Sequence, residues 1–508
     1  MKLATSSLIR KIDAYAEEVL NIPTLRLMGL AGEATARMAR SMSSECDMIT
    51  VLCGKGNNGG DGYAAAALLA PERRVCIIDV FGCGQRSEAG RYYLERCKAL
   101  GAEIISGAEG AAERILSADL IIDAVLGTGF SGELSPELLR LAELINSSEA
   151  KKLAVDLPLG ISADTGTVSV GAVRADATVA LTLFKPAHIS YPAKEYMGVV
   201  SLSSLGLDDY LDRFEYDIFS ADEGLFREKF PKRYALANKG SFGKTLHITG
   251  SKKYRGAAHL ALEAALRSGV GIVCHSGGGE LAKELRLKFP EAIYVDKTTL
   301  ESAEGGQKSS IDPTAKIGSF SSVLVGCGSS VSKELSELIR RLIESEGPTL
   351  IIDADGINSI AKYYSPEIFL SAKRKIVLTP HPLEFSRLCG ISVDEINKNR
   401  LSVSIDFAKK YGVILLLKGA GTVVTDGERT YINTSGSTAL SKGGSGDVLA
   451  GLISSVLAYA TDPVSALAAC AYLHGRAGDT LSAELSDYGV TPSDLPAEIA
   501  RHIKLMIG

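Results

Sequence analysis

Short apolar runs alternate with helical patterns through the first half of the chain. Between the runs, GYAAAALLA and EAGRYYLERCKALG predict helices. This alternation predicts a doubly wound parallel sheet with its ligand at the carboxyl ends of the strands. The runs that predict buried strands are MITVLCG (48–54), RVCIIDV (74–80), DLIIDAV (119–125), KLAVDLP (152–158) and TVALTLF (178–184).

A second series of apolar runs that alternate with helical patterns follows a charged and polar segment at residues 203–240. Loss of the pattern in this segment predicts a domain boundary, so we assign residues 1–215 and 225–508 to two α/β domains. The stretch ESAEGGQKSS (301–310) predicts a solvated loop, and GSGDVLAGLISSVLAYA (444–460) predicts a long helix. The predicted strands are KTLHITG (244–250), GIVCH (271–275), SVLVGCG (322–328), TLIIDAD (349–355), KIVLTPH (375–381) and VILLLKG (413–419).

Composition narrows the possible functions. The 508 residues carry a net charge of −5, which is not the basic excess that binding to a phosphate backbone requires, so we expect no nucleic-acid partner. No apolar run reaches the ~18 residues of a membrane span, and the first residues carry charges where a signal peptide needs an apolar stretch. We therefore expect a cytoplasmic protein.

The nine cysteines contain no CxxC pair, which predicts reduced thiols and no zinc site.

Polar residues follow several strands of the first half. GKGNNGGDG (54–62) lies between a strand and an Ala-rich helix, where glycines and free amides suit a phosphate. Its spacing matches neither GxGxxG nor GxxxxGK[ST], and a glycine-rich turn without a ligand is the alternative. Asp123, Asp156 and Lys185 follow three further strands. Each alone could be a structural capping residue, but together they predict one polar crevice.

In the second half, KGGSGDVLAG places Asp447 at the start of a helix behind three glycines. The helix N-terminus would stabilise a phosphate, and the carboxylate could accept a hydroxyl proton. LKGAGTVV (417–424) is a second glycine-rich strand end, suited to a nucleotide. His381 in TPHP is either a structural hydrogen-bonding residue or a catalytic one, and the sequence leaves both interpretations open.

These motifs resemble two known families. NKGSFGKTLHITGS, GAAHLALEAALRSGVG, DADGIN, LTPHPLEF, LKGAGTVV and GGSGDVLAG resemble, in this order, the ADP- or ATP-dependent NAD(P)H-hydrate dehydratases, which have a ribokinase-like fold. GNNGGDG, DAVLGTGFSG and DLPLG resemble the NAD(P)H-hydrate epimerases, whose YjeF-type N-terminal domain is Rossmann-like. The resemblance covers nearly the whole chain. It implies a bifunctional repair enzyme, an isomerase and a lyase, that interconverts R- and S-NAD(P)HX and dehydrates the S epimer to NAD(P)H at the expense of ADP or ATP.

The resemblance also implies site residues and cofactors. In the first domain, K⁺ would bind at Asn58 and Asp123, and Asp156 would transfer a proton. In the second, Asp447 would be the base that deprotonates the hydroxyl, and Mg²⁺ would accompany the nucleotide. The positions that match NAD(P)HX contacts are Asn57, Asn58, Gly59, Gly60, Asp61, Gly127, Thr128, Gly129, Phe130, Ser131, Gly132 and Asp156, then Ala257, Gly328, His381 and Asp447. The positions that match nucleotide contacts are Lys418, Gly419, Ala420, Gly421, Thr422 and Gly446.

The chain departs from the family pattern at three places. LMENAG reads LMGLAG (27–32), the GPG turn reads GCG (326–328), and DIPSG reads DLPLG. In the last motif, Leu159 replaces a hydroxyl expected to help bind K⁺, so the site either loses a ligand or uses a main-chain group. We further expect a homo-oligomer that acts on NADHX and NADPHX. A ribokinase-like kinase for a small alcohol and a non-catalytic nucleotide sensor are the alternative functions.

Overall fold

The computed structural model describes residues 1–82, 86–107, 110–276, 279–295 and 317–507. The chain forms two compact units: one is Lys2–Ile218, and the other is Phe219–Gly508 with Met1. The boundary lies within the polar segment 203–240 that predicts it. The functional division into residues 1–215 and 225–508 stays a prediction.

The first unit contains a sheet of seven parallel strands in the order β4-β3-β2-β5-β6-β7-β8, with short 3₁₀ turns at Pro186–His188, Ala193–Tyr196 and Asp208–Arg213. The seven strands of this sheet are β2 (Met48–Cys53), β3 (Arg74–Asp79), β4 (Glu103–Ser106), β5 (Leu120–Ala124), β6 (Lys151–Val155), β7 (Ala177–Leu181) and β8 (Val199–Ser203). A further short strand, β1 (Lys2–Leu3), lies outside this sheet. Its helices are α1 (Ser6–Glu18), α2 (Thr24–Met42), α3 (Asn57–Leu69), α4 (Glu88–Ala99), α5 (Ala112–Leu116) and α6 (Pro136–Ser147).

The strand order of this sheet reverses between β2 and β5, which are paired in parallel. In an open α/β sheet such a reversal opens a crevice at the carboxyl ends of the two strands. Both strands are almost entirely buried, because helices cover both faces of a doubly wound sheet. The predicted doubly wound domain is therefore confirmed, with its crevice beside the glycine-rich motif that follows β2.

The second unit contains a larger sheet in which the strands run β9-β18-β17-β16-β15-β14-β13-β10-β11-β12. Its strands are β9 (Ile218–Ala221), β10 (Lys244–Ile248), β11 (Ile272–Ser276), β12 (Ile293–Val295), β13 (Ser322–Val325), β14 (Thr349–Ile352), β15 (Ile376–Leu378), β16 (Ile414–Leu417), β17 (Val423–Thr425) and β18 (Thr430–Asn433). Its helices are α7 (Glu223–Lys229), α8 (Arg255–Arg267), α9 (Gly279–Lys288), α10 (Lys333–Glu344), α11 (Asp355–Tyr363), α12 (Pro382–Cys389), α13 (Val393–Lys398), α14 (Arg400–Tyr411), α15 (Ser445–Leu457), α16 (Pro463–Gly489) and α17 (Leu495–Ile507), and 3₁₀ turns lie at Lys239–Phe242, Pro366–Ser371 and Thr438–Leu440.

Strands β12 to β16 of this sheet, with β10 and β11, are parallel, whereas β16, β17 and β18 pair antiparallel. The carboxyl ends of β13, β14, β15 and β16 therefore meet at one edge. Helix α15 packs closely on α8: a Cβ on Gly451 would lie 2.1 Å from the Ala261 carbonyl oxygen. This contact holds α15, the helix that begins in the GGSGD motif, in place over the sheet.

The described cysteines form no disulfide, which agrees with the prediction of reduced thiols; Cys83 lies outside the described residues. None of the helices in the described ranges combines the length and the apolar character needed to cross a bilayer. The predicted loop at 301–310 also lies outside these ranges.

Each unit contains its own apolar clusters, built entirely from residues of that unit. We therefore predict that residues 1–218 and 219–508, expressed separately, each give a monodisperse fragment with one cooperative thermal transition. Circular dichroism and calorimetry of the two fragments test this prediction. Recovery of cooperative unfolding only after mixing the fragments would contradict it.

Candidate active sites

The glycine-rich motif of the first unit forms the first turn of a helix. Residues 57–61, expected from the sequence to be a loop before the helix, are the beginning of α3. Gly59 approaches the main chain so closely that a Cβ there would lie 1.9 Å from the Gly54 carbonyl oxygen. The first amides of a helix lack partners within it, so this turn directs N–H groups into the crevice.

The second glycine-rich segment, residues 127–132, lies beside this turn. The Asn58 side-chain amide donates to the Leu126 carbonyl at 2.8 Å, and Gly127 lies against the Asn58 side chain. At the start of α1, the Ser6 hydroxyl donates to the Thr128 carbonyl at 2.7 Å. Of the predicted contacts here, Phe130 packs partly against an apolar cluster, and Gly129, Ser131 and Gly132 are exposed.

Asp123 is a fully buried carboxylate at the end of β5. Its Oδ2 accepts from the Leu159 amide at 2.6 Å and its Oδ1 from the Val125 amide at 3.2 Å. Burial raises the pKa of Asp123 to about 6. No basic side chain in the described part of the chain forms an ion pair with it. A buried carboxylate near the crevice, with two amides and no cation, fits the predicted K⁺ ligand.

Asn58 also suits a K⁺ ligand. Its amide nitrogen is held by the Leu126 carbonyl, which directs the side-chain oxygen elsewhere. Oxygen donors are what a hard cation prefers. The Leu159 side chain, however, lies among buried apolar residues such as Leu134 and Val173, and only its amide contacts Asp123. The side chain therefore offers K⁺ no ligand atom. The Leu159 carbonyl, the main-chain oxygen of that position, accepts a hydrogen bond from the Val173 amide at 2.9 Å.

Asp156 forms a buried ion pair with Lys185. The Lys185 Nζ donates to Asp156 Oδ1 at 2.5 Å and to the Leu181 carbonyl at 2.6 Å. His188 holds both residues: its Nδ1 accepts from the Lys185 amide at 2.8 Å, and its Nε2 donates to the Asp156 carbonyl at 2.7 Å. Burial lowers the pKa of His188 to about 4, so the ring is neutral. Asp156 adopts a φ of +62°, a left-handed conformation sustained by these bonds.

Two further carboxylates share the environment of this ion pair. Asp61, one of the predicted substrate contacts, is 9% exposed, and burial with the nearby Asp156 charge raises its pKa well above the ordinary value. Asp13, on α1, has a pKa raised to about 6 by burial, with Lys185 and Asp156 as its charged neighbours. The structure therefore gathers three carboxylates around one lysine.

In the second unit, Asp447 lies in the first turn of α15, next to Cys327 and Asp353. Ligand atoms of the three side chains all lie within 4.8 Å of one another. Burial, followed by the Asp353 charge, raises the pKa of Asp447 to about 7, while Lys418 opposes the shift. A carboxylate poised near neutrality suits a general base.

Asp353 is the buried centre of this second site. Its Oδ1 accepts from Lys418 Nζ at 2.9 Å and from the Thr379 hydroxyl at 2.8 Å, and its Oδ2 accepts from the Cys327 thiol at 3.3 Å. Lys418 also reaches α15, since a Cβ on Gly446 would lie 3.2 Å from its Nζ. Lys418 therefore links the predicted nucleotide loop to the turn that carries Asp447.

His381 begins α12 and caps it. Its Nδ1 accepts from the Leu383 amide at 3.1 Å and from the Glu384 amide at 3.3 Å, while its Nε2 lies 3.3 Å from Glu384 Oε1. Its side chain is 46% exposed, and no hydrogen bond joins it to Asp447. Capping explains this histidine locally, and Lys418 and Asp353 are among its charged neighbours.

The remaining predicted contacts lie in a loop after β16 and in a turn after β13 that packs on α8. Thr422 closes the first, because its hydroxyl accepts from the Gly419 amide at 3.2 Å and donates to the Gly419 carbonyl at 2.9 Å. Ala420 is exposed at its tip, and Gly421 has a φ of +62°. In the second, Gly328 lies against Ala257: a Cβ on Gly328 would lie 2.6 Å from that of Ala257.

Several site residues have no assigned role in the sequence interpretation. Asp353 in DADGIN and Glu384 in LTPHPLEF stand in motifs whose polar residues directly follow buried strands, which is the signal that could have found them. Asp13 has a weaker signal, a charge on the apolar face of a helix. The residues in this group are Asp13, His188, Cys327, Asp353 and Glu384.

Comparisons with known proteins agree with this division into two sites. The family described as NAD(P)H-hydrate dehydratase matches residues 245–501, and the family described as YjeF-related protein N-terminus matches residues 24–187. The bifunctional NAD(P)H-hydrate repair enzyme of Thermofilum pendens is 32% identical over 97% of this chain and 94% of its own length. That of Escherichia coli is 33% identical over 97% of this chain and 92% of its own.

A solved structure supports the fold of the second unit. A hypothetical protein from Streptococcus mutans is 28% identical, with a TM-score of 0.50, over 57% of this chain and 100% of its own length. Two α/β units, each with a polar site at the strand ends, define a two-site enzyme built from a Rossmann-like and a ribokinase-like domain. The chain belongs to the family of bifunctional NAD(P)H-hydrate repair enzymes.

The position of Leu159 generates a prediction about potassium. Because its side chain packs in an apolar cluster and only its amide reaches Asp123, Leu159→Ser should not strengthen K⁺ binding. We expect Leu159→Ser and Leu159→Ala, which differ only in the hydroxyl, to destabilise the first unit alike, by about 2–5 kcal/mol. Thermal unfolding in equal concentrations of KCl and NaCl measures both effects. A K⁺-specific stabilisation seen with serine and not with alanine would show that a hydroxyl at this position is a ligand.

Proposed function

We propose that this chain repairs hydrated NADH and NADPH, with one reaction in each unit. The first unit interconverts the R and S hydrates, and the second removes water from the S hydrate at the expense of ADP or ATP. Family membership supports both reactions. The single observation that carries the dehydratase assignment is Asp447, a partly buried carboxylate in the first turn of α15 beside Lys418.

In the second unit, Asp447 deprotonates the C6 hydroxyl of the hydrate, which then accepts the terminal phosphoryl group of the nucleotide. Phosphorylation converts a poor leaving group into a good one, and elimination restores the reduced ring. Lys418 and the amides of the Gly443–Gly446 turn stabilise the negative charge of the transferring group. Asp353 holds Lys418 in place through the 2.9 Å ion pair.

Magnesium would offset the charge on the nucleotide. Mg²⁺ usually binds through substrate phosphates and water, with one or two carboxylates. Asp447 offers such a carboxylate, whereas Asp353 is already paired with Lys418. The nucleotide phosphates and water would therefore supply most ligands of Mg²⁺, and Asp447 is the carboxylate that could contribute another.

In the first unit, the C6 hydroxyl sits on carbon bonded to the ring nitrogen, so the carbon–oxygen bond can break and re-form. Asp156, ion-paired with Lys185, is the proposed proton-transfer residue. The amides of α3 and the 127–132 segment bind the dinucleotide. Asn58 and Asp123 would hold K⁺, which would organise the loop around Asn58.

The family's motif order argues against the two alternative functions. A small-alcohol kinase would share Asp447 and its turn but has no use for the first unit, and a nucleotide sensor has no use for a base. We further propose that both NADHX and NADPHX are substrates and that the protein is a homo-oligomer.

Asp447→Asn should abolish dehydration, because an amide preserves the shape of the carboxylate but cannot accept the hydroxyl proton. We expect the rate to fall by about 10²-fold or more, since general-base catalysis contributes that much. The return of the absorbance of the reduced ring from chemically hydrated NADH, with ADP or ATP, measures the rate. Asp406→Asn, an exposed carboxylate on α14, is the matched control. A variant that keeps more than about a tenth of the wild-type rate would remove Asp447 from the role of base.

The pH dependence of dehydration should follow the ionisation of Asp447. Only the ionised carboxylate accepts a proton, and burial raises the pKa of Asp447 to about 7. We therefore expect kcat/KM to be constant above this pH and to fall about tenfold per unit below it. Steady-state rates between pH 5 and 9, with saturating nucleotide, test this fall in kcat/KM at low pH. A profile that stays flat down to pH 5 would contradict the assignment.

A further inference from the structure

Helix α1 of the first unit is fixed over the epimerase site. At its start, the Ser6 amide donates to Asp164 Oδ1 at 2.6 Å, and the Ser6 hydroxyl donates to the Thr128 carbonyl in the substrate segment. Ile9, Ile12 and Ala16 on this helix are buried. The helix is therefore attached to the site at one end and packed into the core along its length.

Asp13 interrupts the apolar face of this helix. Residues 9, 13 and 16 fall on one face, because positions four and seven apart are neighbours on a helix. Asp13 is accordingly partly buried, and it interacts electrostatically with Lys185 and Asp156. A carboxylate withdrawn from water costs free energy unless it is paired, and an apolar residue would suit the packing better. The packing of the helix therefore does not account for Asp13.

The charges around Asp13 do not balance. Lys185 is bonded to Asp156 and to the Leu181 carbonyl, so its ammonium group already has two partners. Asp61 is 9% exposed, and Asp156, Asp13 and Lys185 are its charged neighbours. Three carboxyl groups therefore stand beside one ammonium group, and such a cluster of perturbed carboxyl groups is typical of a site that binds a polar ligand and exchanges protons.

Inverting the carbon that carries the hydroxyl requires two proton transfers. The C6–O bond breaks, its electron pair leaves with the oxygen, and an acid protonates that oxygen to release water, while the nitrogen lone pair forms the N1=C6 bond. A water molecule then adds to the other face of C6 and gives its proton to a base. One residue cannot easily reach both faces of the ring, so the reaction calls for two proton-transfer groups on different elements.

We infer that Asp13 is the second proton-transfer group of the epimerase site and works with the Asp156–Lys185 pair. Asp156 follows β6 and Asp13 comes from α1, so the two carboxyl groups approach their shared space from different elements. This inference rests on the proposed epimerase function of the first unit. It adds a catalytic residue outside residues 24–187, the range matched by the family of the first unit.

The environment of Asp13 suits both halves of the reaction. Burial raises its pKa to about 6, the Lys185 charge opposes the rise, and the Asp156 charge adds to it. Asp61 is the other carboxyl group that faces it, and His188 beside the pair is neutral. Near neutral pH, Asp13 therefore populates both its protonated and its ionised form, as an acid–base group must.

Asp13→Asn in the full chain tests the inference. The conversion of purified R-NADHX to S-NADHX is followed by chromatography, with the spontaneous rate subtracted. We expect the rate to fall by about 10²-fold, and Asp13→Glu to keep a larger share than Asp13→Asn, because it retains a carboxyl group. We expect the epimerisation rate of the wild type to change with pH around pH 6, and we expect this change to be absent from the profile of Asp13→Asn.

Two controls separate catalysis from structure. Glu18→Gln removes an exposed carboxylate from the same helix and should leave the rate unchanged. Dehydration of S-NADHX by Asp13→Asn should equal the wild-type rate. Epimerisation by Asp13→Asn within about threefold of wild type, or a slow variant with the wild-type pH profile, would overturn the role of Asp13 alone. A wild-type chain that does not epimerise would overturn the proposed function of the first unit, and this inference with it.

Discussion

Both units depend on one constraint: a carboxylate placed at the end of a buried strand must find partners that replace water. Taking such a charge out of water costs several kcal/mol unless hydrogen bonds or an opposite charge compensate it. Asp123 is compensated by two amides, Asp156 by Lys185, and Asp353 by Lys418, Thr379 and Cys327. Each of these networks fixes the main chain around a crevice, so charge compensation and site geometry arise together.

The groups proposed to transfer protons differ in how fully they are compensated. Asp156 forms a direct ion pair with Lys185, whereas Asp447 and Asp13 are partly buried without one among the described residues. Incomplete compensation raises their pKa values towards neutrality, where a group can both take up and release a proton. A structure that paired every buried charge would be more stable at these positions and less reactive.

The strands that appear in the sequence as continuous apolar runs bounded by glycine could be predicted, because such runs are a specific signal of a buried strand. Seven strands could not, since each has only two to five residues, and β4, β8 and β12 lie at sheet edges and are partly exposed. The seven are β1, β4, β8, β9, β12, β17 and β18. The start of α3 could not be predicted either, because two glycines in its first turn, Gly59 and Gly60, are typical of a loop, whereas the helix begins at Asn57. Lys185 could be found from its strand end, but its ion pair with Asp156 joins residues 29 positions apart and carries no local signal.

The glycines of the turn after β2 differ in whether the structure leaves room for a side chain. At Gly54 and Gly59, a Cβ would meet main-chain oxygen at 1.9 Å, so any side chain there forces the backbone to move. At Gly56, nothing lies within 4 Å of the same added atom, and the backbone is extended, with a φ of −87°. The turn can therefore acquire a side chain at Gly56 without losing its shape. Gly56 is therefore the position of this turn at which mutagenesis could introduce a side chain while the backbone beside the crevice stays in place.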